Sequence, residues 1–525
     1  MRRREFCFGL GAGVVALVGK HWGRSALASG IPTTVPNVDP RSGYTPTPPG
    51  QFLFTDLRHI NPGDVGWVLP EGTHVPDTGA ADPPVRAIAD TQSVARGVRL
   101  VAQRATKEGP IQDLPRHLIH DGDLYRSWQL KPNYPPGTDR GVSTTSPAQS
   151  LTVRYGESKD GYSWAWRDVS EIPVSDITGI DGITFFVDPH GLESERYKCL
   201  YCAKVLSGLP ALWAEYEKVH PRHRDVRLRP DYLYCLFGLV SPDGVRWRPI
   251  PQHLMIHKSD TDTAVYYDEW LGKYVLYTRL YWLNRRMIAR AESDDWRHWT
   301  PVDPIIWPSL DEPFSWDVYL NGRTSYPGLP EHHLMFPLFY RRLTQSSEVH
   351  LLSSQDGIRW DRVPGGPVLV PGDPGSWDGE FIGAGRHLVP LGKDRIAIPY
   401  FGSNLPHKYP QGAGPKEQGT GFASWPKGRL VALTADEEGS FHTFGVQVTG
   451  QELRLNARIR RAGEIRVGLD GTKGRSATDC DPIFGDSAAH TIRWRGDPRL
   501  SVPPGKTVSL HFRLRAAELF GFEWV

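Results

Sequence analysis

A short signature that recurs four times is the feature that most restricts the fold of this chain. The four copies are Ser158-Lys-Asp-Gly-Tyr-Ser-Trp164, Ser241-Pro-Asp-Gly-Val-Arg-Trp247, Ser293-Asp-Asp-Trp-Arg-His-Trp299 and Ser354-Gln-Asp-Gly-Ile-Arg-Trp360. Three of them contain Asp-Gly, which is typical of hairpin turns because glycine adopts the positive φ that such turns require. Successive copies begin 83, 52 and 61 residues apart, by subtraction of the serine numbers. That spacing suits one four-stranded sheet with its loops, so the repeat predicts a β-propeller.

The segments between the signatures support this prediction. A strand-like segment precedes each signature, and a predicted hairpin precedes each of those segments, starting near residues 116, 183, 264 and 317. A fifth hairpin, over 381–401, closes without the signature. We therefore expect an all-β fold with a five-bladed propeller over residues 51–435. The 54 Gly and 46 Pro favour many short strands, and the 18 Trp, 20 Tyr and 19 Phe exclude a disordered chain.

The sequence beyond residue 435 has a different texture. Four segments there alternate apolar and polar residues at period two, which predicts a β-sandwich domain over 436–525. At the other end, residues 51–109 are expected to lead into the propeller as strands. Residues 29–50 are rich in proline and indicate a tether.

The first 28 residues predict an export signal. Arg2-Arg3-Arg4 precedes a short apolar stretch, Phe6–Val18, and the small-residue pattern Ala26-Leu27-Ala28 follows as a cleavage site. Arg3-Arg4-Glu5-Phe6 resembles the twin-arginine signal, which exports folded proteins. The sequence thus predicts a secreted or periplasmic protein without a membrane segment in its mature form. An N-terminal anchor helix is the alternative.

Charge and cysteine content narrow the partners and cofactors. Lys and Arg total 61 against 59 Asp and Glu, a balance that argues against a nucleic-acid partner bound through its phosphates. Cys199 and Cys202 fall in one predicted strand and so face opposite sides of it. No set of zinc ligands is visible. We expect buried free thiols at these positions and at Cys235 and Cys480, with one long-range disulfide as the alternative, and neither a metal nor another cofactor.

The hairpin repeat, the five predicted blades and the trailing sandwich together resemble the five-bladed β-propeller glycoside hydrolases, a group that includes families 32 and 43. Val187-Asp-Pro-His-Gly191 with Glu195-Arg-Tyr-Lys198, and Asp479-Cys-Asp-Pro-Ile-Phe-Gly-Asp486 with Trp494, are similar to a secreted bacterial branch of this superfamily. The resemblance implies hydrolysis of a glycosidic bond in a furanose-containing polysaccharide or oligosaccharide, arabinan-like or fructan-like. The chain lacks the Trp-x-Asn-Asp-Pro and Glu-Cys motifs of family 32 and the Glu-Gly-Pro acid of family 43.

Glycoside hydrolysis needs one carboxyl group as proton donor and another as base or nucleophile. In a propeller these groups converge where the innermost strands begin. One candidate falls in each predicted blade: Asp113, Asp181, Asp262, Asp317 and Glu380. Glu380 is the leading general acid and Asp113 the base or nucleophile, while the resemblance to family 43 makes Asp181 the carboxylate that tunes the acid. Asp188 and Asp260 are alternatives to Asp181 and Asp262, and each aspartate also fits a turn or cap.

Aromatic and cationic side chains near these carboxylates predict contacts with a sugar. The candidates are Trp316, Trp377, Arg279, Arg323 and His407. A tryptophan ring can pack against the C–H face of a sugar, and the cationic or imidazole groups can bind its hydroxyls. The alternatives are packing between strands for the tryptophans and ion pairs for the arginines.

Two other functions stay open on the sequence. A sialidase-like hydrolase is one, because sialidase boxes run Ser-x-Asp-x-Gly-x-x-Trp; the copies here lack the residue between Asp and Gly. The other is a glycan-binding propeller without catalysis, which predicts a shallow aromatic patch instead of convergent carboxylates. All three functions imply a poly- or oligosaccharide partner, and none predicts an oligomeric state.

Overall fold

The computed structural model describes residues 51–62, 65–68, 74–75, 86–89, 94–138, 145–219, 231–408 and 414–525. Strands dominate these ranges, which contain one α-helix, α1 (Leu209–Val219), and one 3-10 turn at Glu193–Glu195. The prediction of an all-β fold is confirmed. No helix in these ranges is long and apolar enough to cross a membrane. The predicted signal peptide and tether, residues 1–50, lie outside the described residues.

In the part of the chain that the structure describes, seven strands precede the first signature-bearing sheet. They are β1 (Gln51–Leu53), β2 (Ile60–Asn61), β3 (Val65–Val68), β4 (His74–Val75), β5 (Arg86–Ala89), β6 (Arg99–Ala102) and β7 (Thr106–Glu108). β3, β4 and β5 form a small sheet of their own. The other four pair with strands from much later in the chain.

Five antiparallel sheets then follow one another along the chain. The first contains β8 (Ile119–Asp121), β9 (Leu124–Asn133), β10 (Ser150–Ser158) and β11 (Ala165–Pro173). The second contains β12 (Ile177–Val187), β13 (Tyr197–Val205), β14 (Leu233–Ser241) and β15 (Arg248–Pro249). The third contains β16 (Ala264–Asp268), β17 (Lys273–Trp282), β18 (Arg285–Ser293) and β19 (Asp303–Ile306).

The fourth and fifth sheets are less regular. The fourth consists of two hydrogen-bonded sets that continue each other, formed by β20 (Trp316–Leu320), β21 (Arg323–Tyr326), β22 (Leu329–Met335), β23 (Leu338–Arg341), β24 (Ser347–Val349), β25 (Leu352–Ser354) and β26 (Asp361–Arg362). The fifth contains β27 (Phe381–Ala384), β28 (Val389–Leu391), β29 (Arg395–Ser403) and β30 (Gln418–Pro426), with β7 on its outer edge.

Each of these sheets contacts the next, and the fifth contacts the first through β28 and β8. β7 pairs with β30, so a strand from before the first sheet completes the last one. The number of these sheets equals the number of predicted blades, and the five-bladed propeller itself stays a prediction. In that arrangement the innermost strands are β8, β12, β16, β20 with β21, and β27 with β28.

The signature forms the turn after the third strand of the first four sheets. In the first copy, Gly161 N donates to Ser158 Oγ (2.9 Å), and Asp160 Oδ1 accepts bonds from the backbone N–H groups that follow it. The Trp164 indole donates to the Gly161 carbonyl (2.9 Å). The other copies repeat the aspartate and indole bonds. In the third copy Trp296 takes the glycine position at a φ of 70°. These bonds are local, which explains why the sequence alone indicates the hairpins.

The aspartates of the signature should make the fold sensitive to acid. Donors of the hairpin, led by the Ser163 backbone N–H, lower the pKa of Asp160 to about 2. A carboxyl group whose pKa is depressed in the folded state stabilises the protein above its unfolded pKa and loses this effect as pH falls through the folded pKa. We therefore expect Asp160→Asn to lower Tm at pH 7 and to converge with the parent near pH 2. Asp123→Asn, at an exposed aspartate of the β8–β9 turn, is the control, and Tm curves for Asp160→Asn that stay parallel to the parent down to pH 2 would contradict this account.

A seven-stranded sheet forms the C-terminal part of the molecule. The remaining strands are β31 (Val431–Thr443), β32 (Val446–Gln447), β33 (Leu453–Leu469), β34 (Asp486–Thr491), β35 (Thr507–Val508) and β36 (Leu510–Trp524). The sheet runs β2-β31-β36-β33-β34, with β1 beside β36 and β6 beside β31; β32 and β35 form a separate two-stranded sheet. Bulges in β31 and β33 bend the sheet over an apolar core.

This arrangement differs from the predicted sandwich and lead-in. The long strands join one bent sheet, and β31 crosses residue 435, where the sequence analysis placed a domain boundary. β1, β2 and β6 belong to this sheet instead of leading into the blades. The physical reason is apolar pairing over a long sequence separation, because Phe52 of β1 stacks on Phe522 of β36 at 4.5 Å between ring centroids.

The four cysteines outside the predicted signal are buried and free, as expected. Cys199 and Cys202 belong to different apolar clusters on the two faces of β13. The prediction that their thiols point to opposite sides of one strand is confirmed.

Candidate functional site

A cavity of about 470 Å³ opens between the first and second sheets and reaches the innermost strands. The charged and imidazole residues that line it beside the innermost strands are Arg116, His117, Asp181, Asp262, Arg386 and His387. We call it the central cavity. The innermost strands of four of the five sheets, or the residues next to those strands, contribute to it, so it is the place where residues far apart in sequence meet.

A bulge in β12 brings Asp181 to this cavity. The register of β12 against β13 shifts on both sides of Asp181. Gly182 follows with a φ of 59°, and a Cβ there would lie 2.3 Å from the Ser259 carbonyl oxygen. Glycine is therefore required where β12 approaches the segment before β16. Gly182 N also donates to Asp181 Oδ1 (2.9 Å), which fixes the carboxyl group beside its own bulge.

Asp262 is held from two sides. Asn321 donates from Nδ2 to the Asp262 carbonyl (3.0 Å), and His117 Nε2 lies 3.0 Å from Asp262 Oδ1. The Arg386 backbone N–H donates to His117 Nδ1 (3.2 Å), so the imidazole proton sits on Nε2 and is donated to the carboxylate. Both ring nitrogens are engaged. His117 therefore positions Asp262 and is not available as a base.

Arg386 closes the bottom of the cavity. Its side chain, in a residue only 3% exposed, donates to the Ile183 carbonyl of β12 (2.7 Å) and to the Thr263 carbonyl next to β16. One guanidinium thus joins the fifth sheet to the second and third. It also places a fixed positive charge close to Asp262.

The two carboxyl groups of the cavity have opposite electrostatic environments. Burial raises the pKa of Asp181; the Gly182 N–H opposes this, and the negative charge of Asp262 adds to it. For Asp262, burial acts in the same direction but is outweighed by His117, Arg386 and Arg116, which hold its pKa well below the ordinary range. The surroundings therefore shift the pKa of Asp181 upward, toward the protonated form, and the pKa of Asp262 downward, toward the ionised form.

The other predicted carboxylates lie elsewhere. Asp113 is exposed in a turn before β8, at a φ of 58°, and contributes only its carbonyl as acceptor for the Trp166 indole (3.3 Å). Glu380 is half-buried where β27 begins, with its backbone N–H bonded to the Ser403 carbonyl. Neither lines the central cavity.

Asp317 is fully buried on β20. Its carboxylate accepts bonds from Arg286 Nη1 and Arg342 Nη2, each at 2.7 Å. This arrangement favours a structural ion-pair cluster between the third and fourth sheets. Of the five predicted carboxylates, the structure brings Asp181 and Asp262 together.

Two of the predicted sugar-contact residues, Arg279 and His407, pack in one cluster around Tyr319. Arg279 is buried in an ion pair with Asp260 and stacks over Tyr319 at 4.9 Å. His407 Nε2 lies 3.2 Å from the Tyr319 hydroxyl, and its ring stacks on Phe381 at 4.8 Å. Burial, with help from nearby cations, lowers the pKa of His407 to about 4, so the ring is neutral at pH 7.

The other three predicted contact residues pack within the sheets or line a second cavity. Trp316 is half-buried under Arg341 and Trp377 against Tyr400. Arg323 stacks over Tyr266 at 3.5 Å and lines a separate cavity of about 480 Å³ formed by residues farther along the innermost strands. In the described part of the chain, no group of three or more His, Cys, Asp or Glu side chains is placed to hold a metal ion.

Solved structures similar to this chain share little sequence with it. One is an N-acetylgalactosamine deacetylase from F. plautii in complex with blood group B trisaccharide, at 14% identity and a TM-score of 0.39 over 70% of this chain and 96% of that one. Another is the Bombyx mori GH32 β-fructofuranosidase BmSUC1, at 10% identity and a TM-score of 0.37 over 82% and 94%. A third is a thermostable family-43 glycoside hydrolase, at 13% identity and a TM-score of 0.36 over 62% of this chain and 91% of that one. No family model matches the chain, and no curated protein matches it in sequence.

Four charged or imidazole residues of the cavity, Arg116, His117, Arg386 and His387, are absent from the sequence-based candidates. Arg116 and His117 lie closer to β8 than Asp113 does. Their position directly before an innermost strand is the sequence signal that could have found them. Arg386 interrupts the apolar run of β27 and β28. A charged residue inside a buried strand pattern is itself a signal, because charges are rarely buried without a specific partner.

Proposed function

We propose that the central cavity hydrolyses a glycosidic bond. The observation that carries this proposal is the pair Asp181 and Asp262, two carboxyl groups in one cavity whose surroundings shift their pKa values in opposite directions. Glycoside hydrolases need such a pair, with a protonated acid for the leaving oxygen and an ionised base or nucleophile. The predicted pairing of Glu380 with Asp113 receives no such support from their positions.

In the proposed mechanism Asp181 is the general acid. It gives its proton to the glycosidic oxygen as the bond from that oxygen to the anomeric carbon breaks. Asp262 either takes a proton from the attacking water or attacks the anomeric carbon itself. The His117 N–H and the charge of Arg386 keep Asp262 ionised and oriented throughout.

The proposed substrate is a furanose-containing polysaccharide or oligosaccharide, arabinan-like or fructan-like. The cluster of Tyr319 and His407, both half-buried above the buried Phe381, supports a sugar partner, since it presents aromatic rings beside hydrogen-bonding groups. A panel of arabinan, fructan, arabinoxylan, galactan and sialosides, scored for reducing-sugar release by the purified protein, tests this. Release from sialosides alone would favour the sialidase-like alternative. Binding without release from any glycan would favour a non-catalytic module.

We also propose export by the twin-arginine route, which Arg3, Arg4 and the apolar stretch after them support. Replacing both arginines with lysine should leave the precursor in the cytoplasm, because paired arginines define this signal. Cell fractionation would measure the loss, and the mature N-terminus of the parent should follow Ala28. Arg2→Lys, which leaves the pair intact, is the control. Undiminished export of the double-lysine variant would contradict the proposal.

A further inference from the structure

The central cavity contains a cation without a carboxylate partner. Arg116 lies at the edge of the cavity with its guanidinium over the Phe401 ring, 4.5 Å from the centroid. Among the described residues no carboxylate oxygen comes within 4 Å of it. Burial lowers the pKa of Arg116 from the ordinary arginine value, and the negative charge of Asp262 opposes this at longer range. The residue is nevertheless exposed, so its guanidinium is open to a ligand at the mouth of the cavity.

Three arginines outside the central cavity behave differently. Arg279 is paired with Asp260, and Arg286 and Arg342 are paired with Asp317. Each of these cations is neutralised within the fold, as expected for a charge withdrawn from water. An arginine that stays unpaired in a concave site has its charge available for a ligand.

The charge balance of the cavity points the same way. Lys131 of β9 lines the cavity with an exposed side chain, and Arg386 contributes a second fixed charge at the bottom. Against these three cations, Arg116 included, the lining places two carboxylates, Asp181 and Asp262. The cavity thus carries a net positive charge, which attracts an anionic ligand.

We propose that the sugar unit bound in the central cavity carries a carboxylate, which Arg116 binds. A guanidinium presents two parallel N–H donors that match the two oxygens of a carboxylate, and stacking on Phe401 keeps its plane oriented. The chemical class is a hexuronate or another acidic sugar such as a nonulosonate. That the acidic sugar belongs to a hydrolysed substrate rests on the proposed function. That Arg116 binds an acidic sugar does not.

Calorimetric titration of the full chain tests this directly. The probes are D-galacturonate, D-glucuronate and N-acetylneuraminate, each at one carboxylate per sugar, with D-galactose and D-glucose as the neutral counterparts of the two uronates. We expect at least one acidic sugar to bind about tenfold to a hundredfold more tightly than the neutral sugars, the range for hydrogen bonds to a charged group. Which acid binds distinguishes hexuronate from nonulosonate recognition.

Variants separate this role from a structural one. Arg116→Gln should abolish the preference for the acidic sugar, and Arg116→Lys should keep part of it because the charge remains. Arg104→Gln, at an exposed arginine away from the cavity, should leave the preference unchanged, and unchanged Tm values would show that each variant folds. Equal affinity for acidic and neutral sugars, no binding of any acidic sugar, or a preference that survives Arg116→Gln would each overturn the inference.

The proposed function is tested separately. Asp262→Asn should retain or strengthen binding of the acidic sugar, because it removes a nearby negative charge, while losing hydrolysis. A parent protein that binds the acidic sugar through Arg116 but hydrolyses no glycan would sustain this inference and overturn the proposed function.

Discussion

Replacing Asp262 or Asp181 with asparagine should lower kcat/KM for glycoside hydrolysis about a hundredfold to ten-thousandfold, the range for loss of one general acid or base. The fold should survive, because the amide oxygen introduced by Asp262→Asn can still accept the His117 bond and the Asp181→Asn change conserves volume. Reducing-sugar release at matched enzyme concentration measures the effect. Circular dichroism checks the fold.

The pH profile assigns the two roles. Hydrolysis needs Asp262 ionised, and its low pKa sets an acid limb at low pH. It also needs Asp181 protonated, and activity should fall as pH rises through the raised pKa of that residue. The sign follows from the two directions: activity is highest between the two pKa values. A residual activity of Asp181→Asn that no longer falls on the alkaline side identifies Asp181 as the acid.

Asp113→Asn and Glu380→Gln are the matched controls, since both are carboxylates chosen from the sequence that do not line the central cavity. Both variants should keep most of the parent activity. Loss of hydrolysis in Glu380→Gln together with full activity in Asp181→Asn would return the acid to the start of β27 and contradict the assignment made from the cavity.

The strands and hairpins of this protein are predictable from sequence because the forces that form them are local. The signature folds through bonds spanning two or three residues, such as those from Ser158 to Gly161. The strand-like segments that precede the signatures appear in the structure as β10, β14, β18 and β25. Alternation and turn residues carry this information without any knowledge of distant partners.

The site is less predictable because it depends on contacts between distant segments. The sequence analysis predicts Asp113 at the start of the first innermost strand. In the structure Asp113 lies in an exposed turn, and His117 takes the position beside Asp262. Arg386 reaches two other sheets. The same limit applies to β1, whose pairing with β36 joins residues more than 400 positions apart in the chain.

Lys198→Met should destabilise the protein by about 3–5 kcal/mol, the cost of breaking a buried ion pair by removing one partner. Lys198 Nζ lies 2.6 Å from Asp188 Oδ2, and the two side chains are 2% and 0% exposed. The Tyr274 hydroxyl also donates to this carboxylate (2.7 Å). Without the lysine, Asp188 keeps a buried charge that one hydroxyl and one backbone N–H do not balance. Urea denaturation measures the change in the free energy of unfolding.

The double variant Asp188→Asn/Lys198→Met gives the sharper result. It removes both charges together, so it should be more stable than Lys198→Met alone, whereas independent contributions would make it less stable. Lys273→Met is the matched control: its ion pair with Glu292 (3.3 Å) is partly exposed and should be worth no more than about 1 kcal/mol. If the change in the free energy of unfolding of the double variant equals the sum of the two single changes, the two side chains do not stabilise the fold as a pair. The sequence analysis kept Asp188 as the alternative to Asp181 for the tuning carboxylate. Its buried ion pair at the tip of the β12–β13 hairpin gives it a role in stability instead. Lys198→Met should therefore leave kcat/KM of the folded fraction unchanged.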